Sequence, residues 1–334
     1  MRALLIVNPH ATSTTSGRRD VIVRALKSAV DLEVVQTRYR GQATRLAATA
    51  AADKFGLVIT LGGDGTVNEA VNGLLGGSSR CDTDQAIPPA DAADLPALAA
   101  LPGGNANVFI RSLNVPDDPV EAAAQLRADL AAGKERRIGL GRANGRYFTF
   151  NAGLGLDAEV VRAVDGRRAH GSSLSPALFA RTALRQYFQV TDRRQAAITV
   201  TEPADLCPGG LFLCVVSNSA PWTYLGHRPV NTSPLASFDT GLDLLGFASL
   251  STIATLQALR QMLSSRQRPL HGRGLVSAHD LPILALTASR PLAFQIDGEY
   301  MGEVENVRFQ SMPRALRVVG LPISQPKPAK GSSV

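Results

Sequence analysis

The sequence predicts an α/β unit on a parallel sheet, followed by a strand-rich unit of antiparallel character. Three observations point there. Over the first hundred residues, short apolar runs alternate with segments of helical periodicity. Two glycine clusters stand directly after the third and fourth apolar runs. From about residue 138 onward, apolar runs are separated by Gly, Pro, Asn and Asp rather than by regular helices.

Residues 3–7 form an apolar run closed by Asn8-Pro9, as expected of a buried parallel strand. Residues 19–29 place Val21, Ile22, Ala25 and Leu26 at helical spacing; 32–36 read as a second strand and the alanine-rich 43–53 as a second helix. The third run, 57–61, ends in Gly62-Gly63-Asp64-Gly65-Thr66, and 67–75 is helical with Gly76-Gly77 as its stop. Residues 78–94 are a polar, proline-containing loop. The fourth strand, 97–101, runs into Pro102-Gly103-Gly104-Asn105-Ala106-Asn107, and a helix over 120–132 stops at Gly133.

In the second half, 148–150, 196–201, 211–217, 242–248, 281–287 and 292–296 read as strands. Residues 175–190, with Pro176 at a helix-first position, and 252–264 read as helices. A last strand covers 315–319, and pattern alone does not say which sheet receives it. The tail 325–334, rich in Pro, Lys, Gly and Ser, is expected to be disordered.

The 334 residues are 45% hydrophobic, enough to bury a proper core, and carry a net charge of +7. That charge favours anionic partners: nucleotide, nucleic acid or an acidic membrane surface. Arg162, Arg167, Arg168, Arg181, Arg185, Arg193 and Arg194 share a segment with only Asp165 and Asp192 as acids. Aromatic stacking residues do not alternate with these arginines in the way a nucleic-acid platform requires, so no nucleic acid is expected. A membrane-facing patch and a solvated face both fit. The three cysteines form no CxxC pair, which argues against a disulfide framework or zinc site. The first apolar run is too short for a signal peptide, and no stretch of about twenty apolar residues exists. A cytoplasmic protein, peripheral on the inner face of the membrane, is the expectation.

The glycine cluster after the third strand carries the chemistry. Glycines let backbone approach a phosphate closely, and the next helix points free N–H groups and its positive dipole end at that anion. A carboxylate in such a loop, Asp64, repels phosphate unless a divalent cation lies between them. The loop is neither G-x-x-x-x-G-K-[ST] nor G-x-G-x-x-G, which disfavours a Walker ATPase or a Rossmann dehydrogenase. Asp297-Gly298-Glu299 follows an apolar strand. It suits a plain hairpin turn as well as a strand-end general base. Pro221 to Leu225 contains the only tryptophan, Trp222, and suits an acyl pocket or the core.

Four segments occur together in one order: Asn8-Pro9, Gly62-Gly63-Asp64-Gly65-Thr66 with Asn68-Glu69, Pro102 to Phe109, and Asp297-Gly298-Glu299. The chain thereby resembles the diacylglycerol kinase catalytic-domain family, which includes bacterial lipid kinases and sphingosine kinases. The glycine loop alone is also similar to that of NAD kinases and phosphofructokinases.

The resemblance implies two domains: an α/β nucleotide-binding domain over 1–137, rejoined by 312–324, and a β-sandwich over 138–311, with the active site in the cleft between them. It implies nucleotide contacts at Asn8, Thr37, Gly62, Gly63, Asp64, Gly65, Thr66, Val67, Asn68, Glu69, Gly103, Gly104, Asn105 and Asn107. Asn105 stands where the family usually has Thr or Ser. Glu299 corresponds to the family's general base, and with Asp64 it is the catalytic expectation. Ala236, Asp239 and Gly241 resemble a structural magnesium site, although Thr240 takes the place of the family's glycine.

The implied activity is ATP- and Mg2+-dependent phosphorylation of a lipid hydroxyl at a membrane surface, first of all diacylglycerol to phosphatidic acid. Phosphatidylglycerol, a sphingoid base or a soluble acceptor such as NAD are the alternatives. A lipid- or nucleotide-binding regulator without catalysis is the alternative of another class, and a homodimer is compatible with all of them.

Overall fold

The computed structural model describes residues 1–9, 11, 15–77, 95–169, 195–264 and 268–320. The first part alternates β1 (Arg2–Val7), α1 (Ser16–Lys27), β2 (Asp31–Gln36), α2 (Gln42–Ala52), β3 (Leu57–Gly62), α3 (Asp64–Leu75), β4 (Ala97–Pro102), α4 (Val108–Ser112) and α5 (Pro119–Ala131). The second part holds β5 (Glu135–Ala143), β6 (Arg146–Phe148), β7 (Asn151–Gly155), α6 (Leu156–Ala169), β8 (Ile198–Glu202), β9 (Leu213–Ser217), β10 (Thr223–Leu225), β11 (Arg228–Val230), β12 (Leu242–Phe247), α7 (Thr252–Met262), β13 (Leu275–Leu281), β14 (Ile283–Ile296) and β15 (Glu299–Val319).

In the first part the strands run parallel in the order β4-β3-β1-β2, with Leu5 opposite Ile59 on one side and Val34 on the other. Side chains alternate across a strand, so one run feeds two cores. Ala3, Leu5, Leu57, Ile59 and Ala99 pack with Ile22 and Leu26 of α1 and Ala122 and Leu126 of α5. Leu4, Ile6, Val58, Leu98 and Ala100 face Ala47 of α2 and Val67, Val71 and Leu74 of α3. Every residue of β3 and β4 is buried, which holds the two loops beyond their carboxyl ends in fixed positions. Truncating Ile59, which is fully enclosed, would cost about 2–5 kcal/mol.

The second part is antiparallel, in the order β13-β12-β9-β7-β14-β15, with β8 on β14 and β5 on β15. Phe148, Phe294 and Phe309 meet edge to face, Phe309 lying 6.2 Å from each of the other two rings, among Leu154, Val216, Leu244 and Leu286. β15 spans both parts. Its beginning pairs with β14, its later residues pair with β5, and Val318 pairs in parallel with Leu98 of β4. The architecture is thus α/β plus all-β.

Some expected elements change. Most of the run 281–287 and all of 292–296 belong to one strand, β14, whose ladder shifts register between Thr287 and Leu292, while Leu281 ends β13. Pro291 lies there without an N–H to donate. Helix α3 begins at Asp64 itself rather than at residue 67. α6, β13, the β10–β11 hairpin and most of β15 have no counterpart in the sequence reading. β15 contains Glu303, Glu305 and Asn306 on an exposed edge, which breaks up its apolar signal. The expected loop at 78–94, helix at 175–190 and tail at 325–334 lie outside the described residues, as do the side chains of Arg167, Arg168, Arg181, Arg185, Arg193 and Arg194.

Candidate active site

The two glycine loops touch backbone to backbone. Gly103 N donates to Gly62 O at 2.8 Å. A Cβ on Gly103 would lie 2.8 Å from Gly62 Cα, and one on Gly104 would lie 2.8 Å from Gly63 Cα, so neither position accepts a side chain without separating the loops. Asn107 closes the second loop from a left-handed conformation, φ 46°. Its Oδ1 accepts from Gly104 N and its Nδ2 donates to Gly104 O and to Asp117 Oδ1, each at 2.9 Å. Asn105 stands exposed at the tip.

Asp64 joins the loops. Its Oδ2 accepts from Val108 N at 3.0 Å and its Oδ1 from Phe109 N at 3.1 Å. Asn107, at the N-cap of α4, has no side-chain cap of its own, so Asp64 supplies the cap from another element. Burial pushes the Asp64 carboxyl up to about 7, against the pull of the two amides.

Glu299 is the first residue of β15, after the turn Asp297-Gly298. It reaches back over the start of α3: a Cβ on Gly65 would lie 2.3 Å from Glu299 Oε1. The Glu299 Oε2 accepts from Arg40 Nη2 at 3.0 Å. Arg40 lies in the loop between β2 and α2, which Glu69 holds by accepting from Gly41 N at 2.7 Å and Ala43 N at 3.1 Å. The Glu69 side chain therefore caps α2 instead of facing a nucleotide. Val67 is fully buried in the core between α3 and the sheet, so its side chain is also withdrawn.

Asp297 aims the turn that carries Glu299. Its Oδ2 accepts from Asn68 Nδ2, Thr149 N and Thr149 Oγ1, all at 2.8 Å; its Oδ1 accepts from Phe150 N at 3.0 Å and Asn151 N at 3.2 Å. Asn68 in turn accepts from Arg146 Nη2 at 2.6 Å and donates to Tyr147 O at 3.0 Å. It therefore bonds α3 to the second part rather than pointing at the loop mouth. Gln295 Oε1 accepts from Gly298 N at 2.9 Å, and its Nε2 donates to Asn151 Oδ1 at 2.9 Å and Asp157 Oδ2 at 2.7 Å. Burial pushes Asp157 up to about 6.

Beside the loops, Asn8 Nδ2 donates to Thr66 Oγ1 at 3.3 Å, and Thr37 N donates to Val7 O at 2.8 Å. A cleft of about 550 Å³ opens at the ends of β1 and β2, lined by Pro9, Val35, Gln36, Thr37, Arg38 and Gln42 among others.

The family profile described as diacylglycerol kinase catalytic domain matches residues 2–143, the stretch that contains both glycine loops. A diacylglycerol kinase of Bacillus subtilis is 33% identical over 167 residues, an alignment covering 48% of each chain. That of Staphylococcus saprophyticus is 24% identical over 307 residues, covering 91% of this chain and 90% of its own. Residues 2–143 are thus similar to the diacylglycerol kinase catalytic domain. The fold of the chain is also that of a Bacillus anthracis protein described as a diacylglycerol kinase, with a TM-score of 0.73 at 24% identity over 97% of this chain and 98% of the other.

The resemblance to this family implies magnesium, and the described side chains do not assemble a place for it. Among the described residues, no group of three or more His, Cys, Asp or Glu could hold a metal. Asp239 is two-thirds exposed and its Oδ1 meets the Arg136 guanidinium, a fixed positive charge where the cation was expected. Ala236 O accepts from Ala220 N at 3.2 Å, and Gly241 N donates to Asp280 Oδ1 at 2.6 Å. Asp64 has given both oxygens to the amides of Val108 and Phe109.

Two residues of this site went unseen in the sequence. Arg40 sits in a short polar loop with no pattern to single it out. Asp157 follows Gly153-Leu154-Gly155-Leu156, a strand end with glycines before an acid, which is the same signal that marks Asp64.

Proposed function

We propose that the chain is an ATP-dependent lipid kinase that transfers the γ-phosphoryl group to a lipid hydroxyl, diacylglycerol being the first candidate and phosphatidic acid the product. One observation carries the proposal: the Glu299 carboxylate lies against Gly65, at the start of the helix that follows the first glycine loop. A proton acceptor thus stands where a helix N-terminus would hold the transferred phosphoryl group. In this reading residues 1–137, with the end of β15, bind the nucleotide, and 138–311 receive the lipid.

The adenosine lies in the cleft beside Thr37 and Asn8, with the triphosphate along Gly62 to Thr66 and Gly103 to Asn105. The α3 dipole and Arg40 offset the phosphate charge. Glu299 takes the proton of the lipid hydroxyl as its oxygen bonds to the γ-phosphorus. The bond from that phosphorus to the β–γ bridging oxygen breaks, ADP leaves, and Glu299 releases its proton to water. Asp64 acts as a positioning residue, fixing the second loop against the first. A lipid acceptor makes the protein peripheral to a membrane; no helix among the described residues is long and apolar enough to cross one.

The test is transfer of labelled γ-phosphate to diacylglycerol, phosphatidylglycerol and a sphingoid base in mixed micelles, with NAD as the soluble control. Wild-type protein should label a lipid, and Glu299→Gln should be slower by about 10²–10⁴-fold with its unfolding curve unchanged. Labelling of NAD alone, no transfer at all, or full activity in Glu299→Gln would each reject the reading.

A further inference from the structure

The two most exposed of the large apolar side chains described are on one short helix. Ile253 and Leu256 of α7 are 73% and 61% exposed, and Leu259 is 46% exposed. Spacing by three places them along one face. The opposite face is committed: Ala258 and Met262 are buried with Leu213, Val230 and Phe247, and Trp222 packs against that cluster. The ridge is therefore left over after the helix has docked.

Its setting is strongly one-signed. Residues 244–278 contain no Asp or Glu, and they carry Arg260, Arg266, Arg268 and Arg273. Arg260, Arg268 and Arg273 are exposed. A second copy docking on the same face about a two-fold axis would bring one basic patch against another. An anionic bilayer answers both features, taking apolar side chains at its headgroup boundary and cations at its phosphates.

The helix is also tied to the site. Asn231 N donates to Met262 O at 2.9 Å, and the Arg228 guanidinium donates to Leu263 O, which fixes the end of α7 to the β10–β11 hairpin. From the hairpin, Tyr224 lies under the Arg111 guanidinium, 3.3 Å from its carbon, and Gly226 O accepts from Arg111 Nη1 at 3.2 Å. Arg111 belongs to α4, the helix that Asp64 caps.

We infer that α7 is a membrane-docking helix: Ile253, Leu256 and Leu259 enter the boundary of an anionic bilayer while Arg260, Arg268 and Arg273 meet its lipid phosphates. The inference rests on reading the acceptor as a lipid, but its test needs neither ATP nor turnover. A failure here is therefore distinguishable from a failure of the kinase reading.

The measurement is co-sedimentation with vesicles of phosphatidylglycerol and phosphatidylcholine, against vesicles of phosphatidylcholine alone, at low and high salt. The wild-type protein should prefer the anionic vesicles and lose that preference in high salt. The combined change Ile253→Asp, Leu256→Asp, Leu259→Asp should weaken partition at least tenfold. Arg260→Gln with Arg268→Gln and Arg273→Gln, which changes only exposed side chains, should abolish the anionic preference even if the first variant fails to fold. Wild-type protein that ignores the vesicles, or arginine variants that bind like wild type, would overturn the inference. So would a wild-type dimer in sedimentation velocity that the apolar substitutions dissolve, because it would assign the ridge to a second copy.

Discussion

Asp297→Asn perturbs the group that aims Glu299 without touching Glu299 itself. The aspartate receives five hydrogen bonds, three at Oδ2 and two at Oδ1. An asparagine keeps one acceptor oxygen. Placed where Oδ2 was, it turns its NH2 toward the N–H groups of Phe150 and Asn151, leaving two buried donors unmet. Each unmet donor costs about 1–3 kcal/mol, hence about 2–6 kcal/mol together. Removing a buried carboxylate offsets part of this, since burial is the main force raising the Asp297 pKa. A net loss of about 2–4 kcal/mol is expected, a large share of the roughly 5–15 kcal/mol that holds a domain.

A raised pKa means that stability from Asp297 is full below the unfolded value and is lost as pH rises through the folded one. The variant lacks that loss, so its deficit should narrow as pH rises. Urea unfolding followed by the single tryptophan, Trp222, reads the stability, and phosphate transfer reads the aim of Glu299. A stability loss below about 1 kcal/mol, or a deficit that widens with pH, would refute the account of the Asp297 nest.

Gly65→Ala puts a methyl group 2.3 Å from the Glu299 Oε1 position, so the carboxylate must move. Turnover should fall at least about tenfold, while the helix gains about 0.5–1 kcal/mol from the better helix former; matched kinetics and urea curves check both signs. Asp64, with its pKa raised to about 7, should contribute stability that is full below about pH 4 and lost through about pH 7, at most about 4 kcal/mol. Asp64→Asn should flatten that part of the stability–pH curve, leaving the decline from Asp157, which ends near pH 6, and that from Asp297. Urea titrations from pH 4 to pH 8 would show whether the slope survives.

The α/β half was legible because β1, β3 and β4 are each built on a continuous apolar run and the longer helices each have their own period. Leu4 and Leu5 serve different cores, yet both are apolar, so the strand announces itself. β15 did not, since Glu303, Glu305 and Asn306 face outward and interrupt the pattern. Within the site, the glycine loops were readable from local chemistry, because backbone contact demands glycine at 103 and 104. What Asp64, Glu69 and Asp239 hold was not readable. Their partners, the amides of α4, the amides at the start of α2 and the Arg136 guanidinium, come from other elements, and a carboxylate in a sequence does not name its donor. Glu299 entered as a site residue through family resemblance, and its contact with Gly65 came only from the structure; spacing alone left Asp297-Gly298 open to an ordinary hairpin.

β15 begins at Glu299 and ends in the parallel sheet beside Leu98, with β5 laddered along its later residues. Glu299 and the two glycine loops are thus mounted on one continuous beam. A clamshell opening of the two halves would have to tear that ladder and pull Asn68 off Asp297. Nucleotide exchange in this molecule is accordingly work for loops and side chains, with the Arg40 guanidinium in reach of Glu299 as the nearest part able to swing aside.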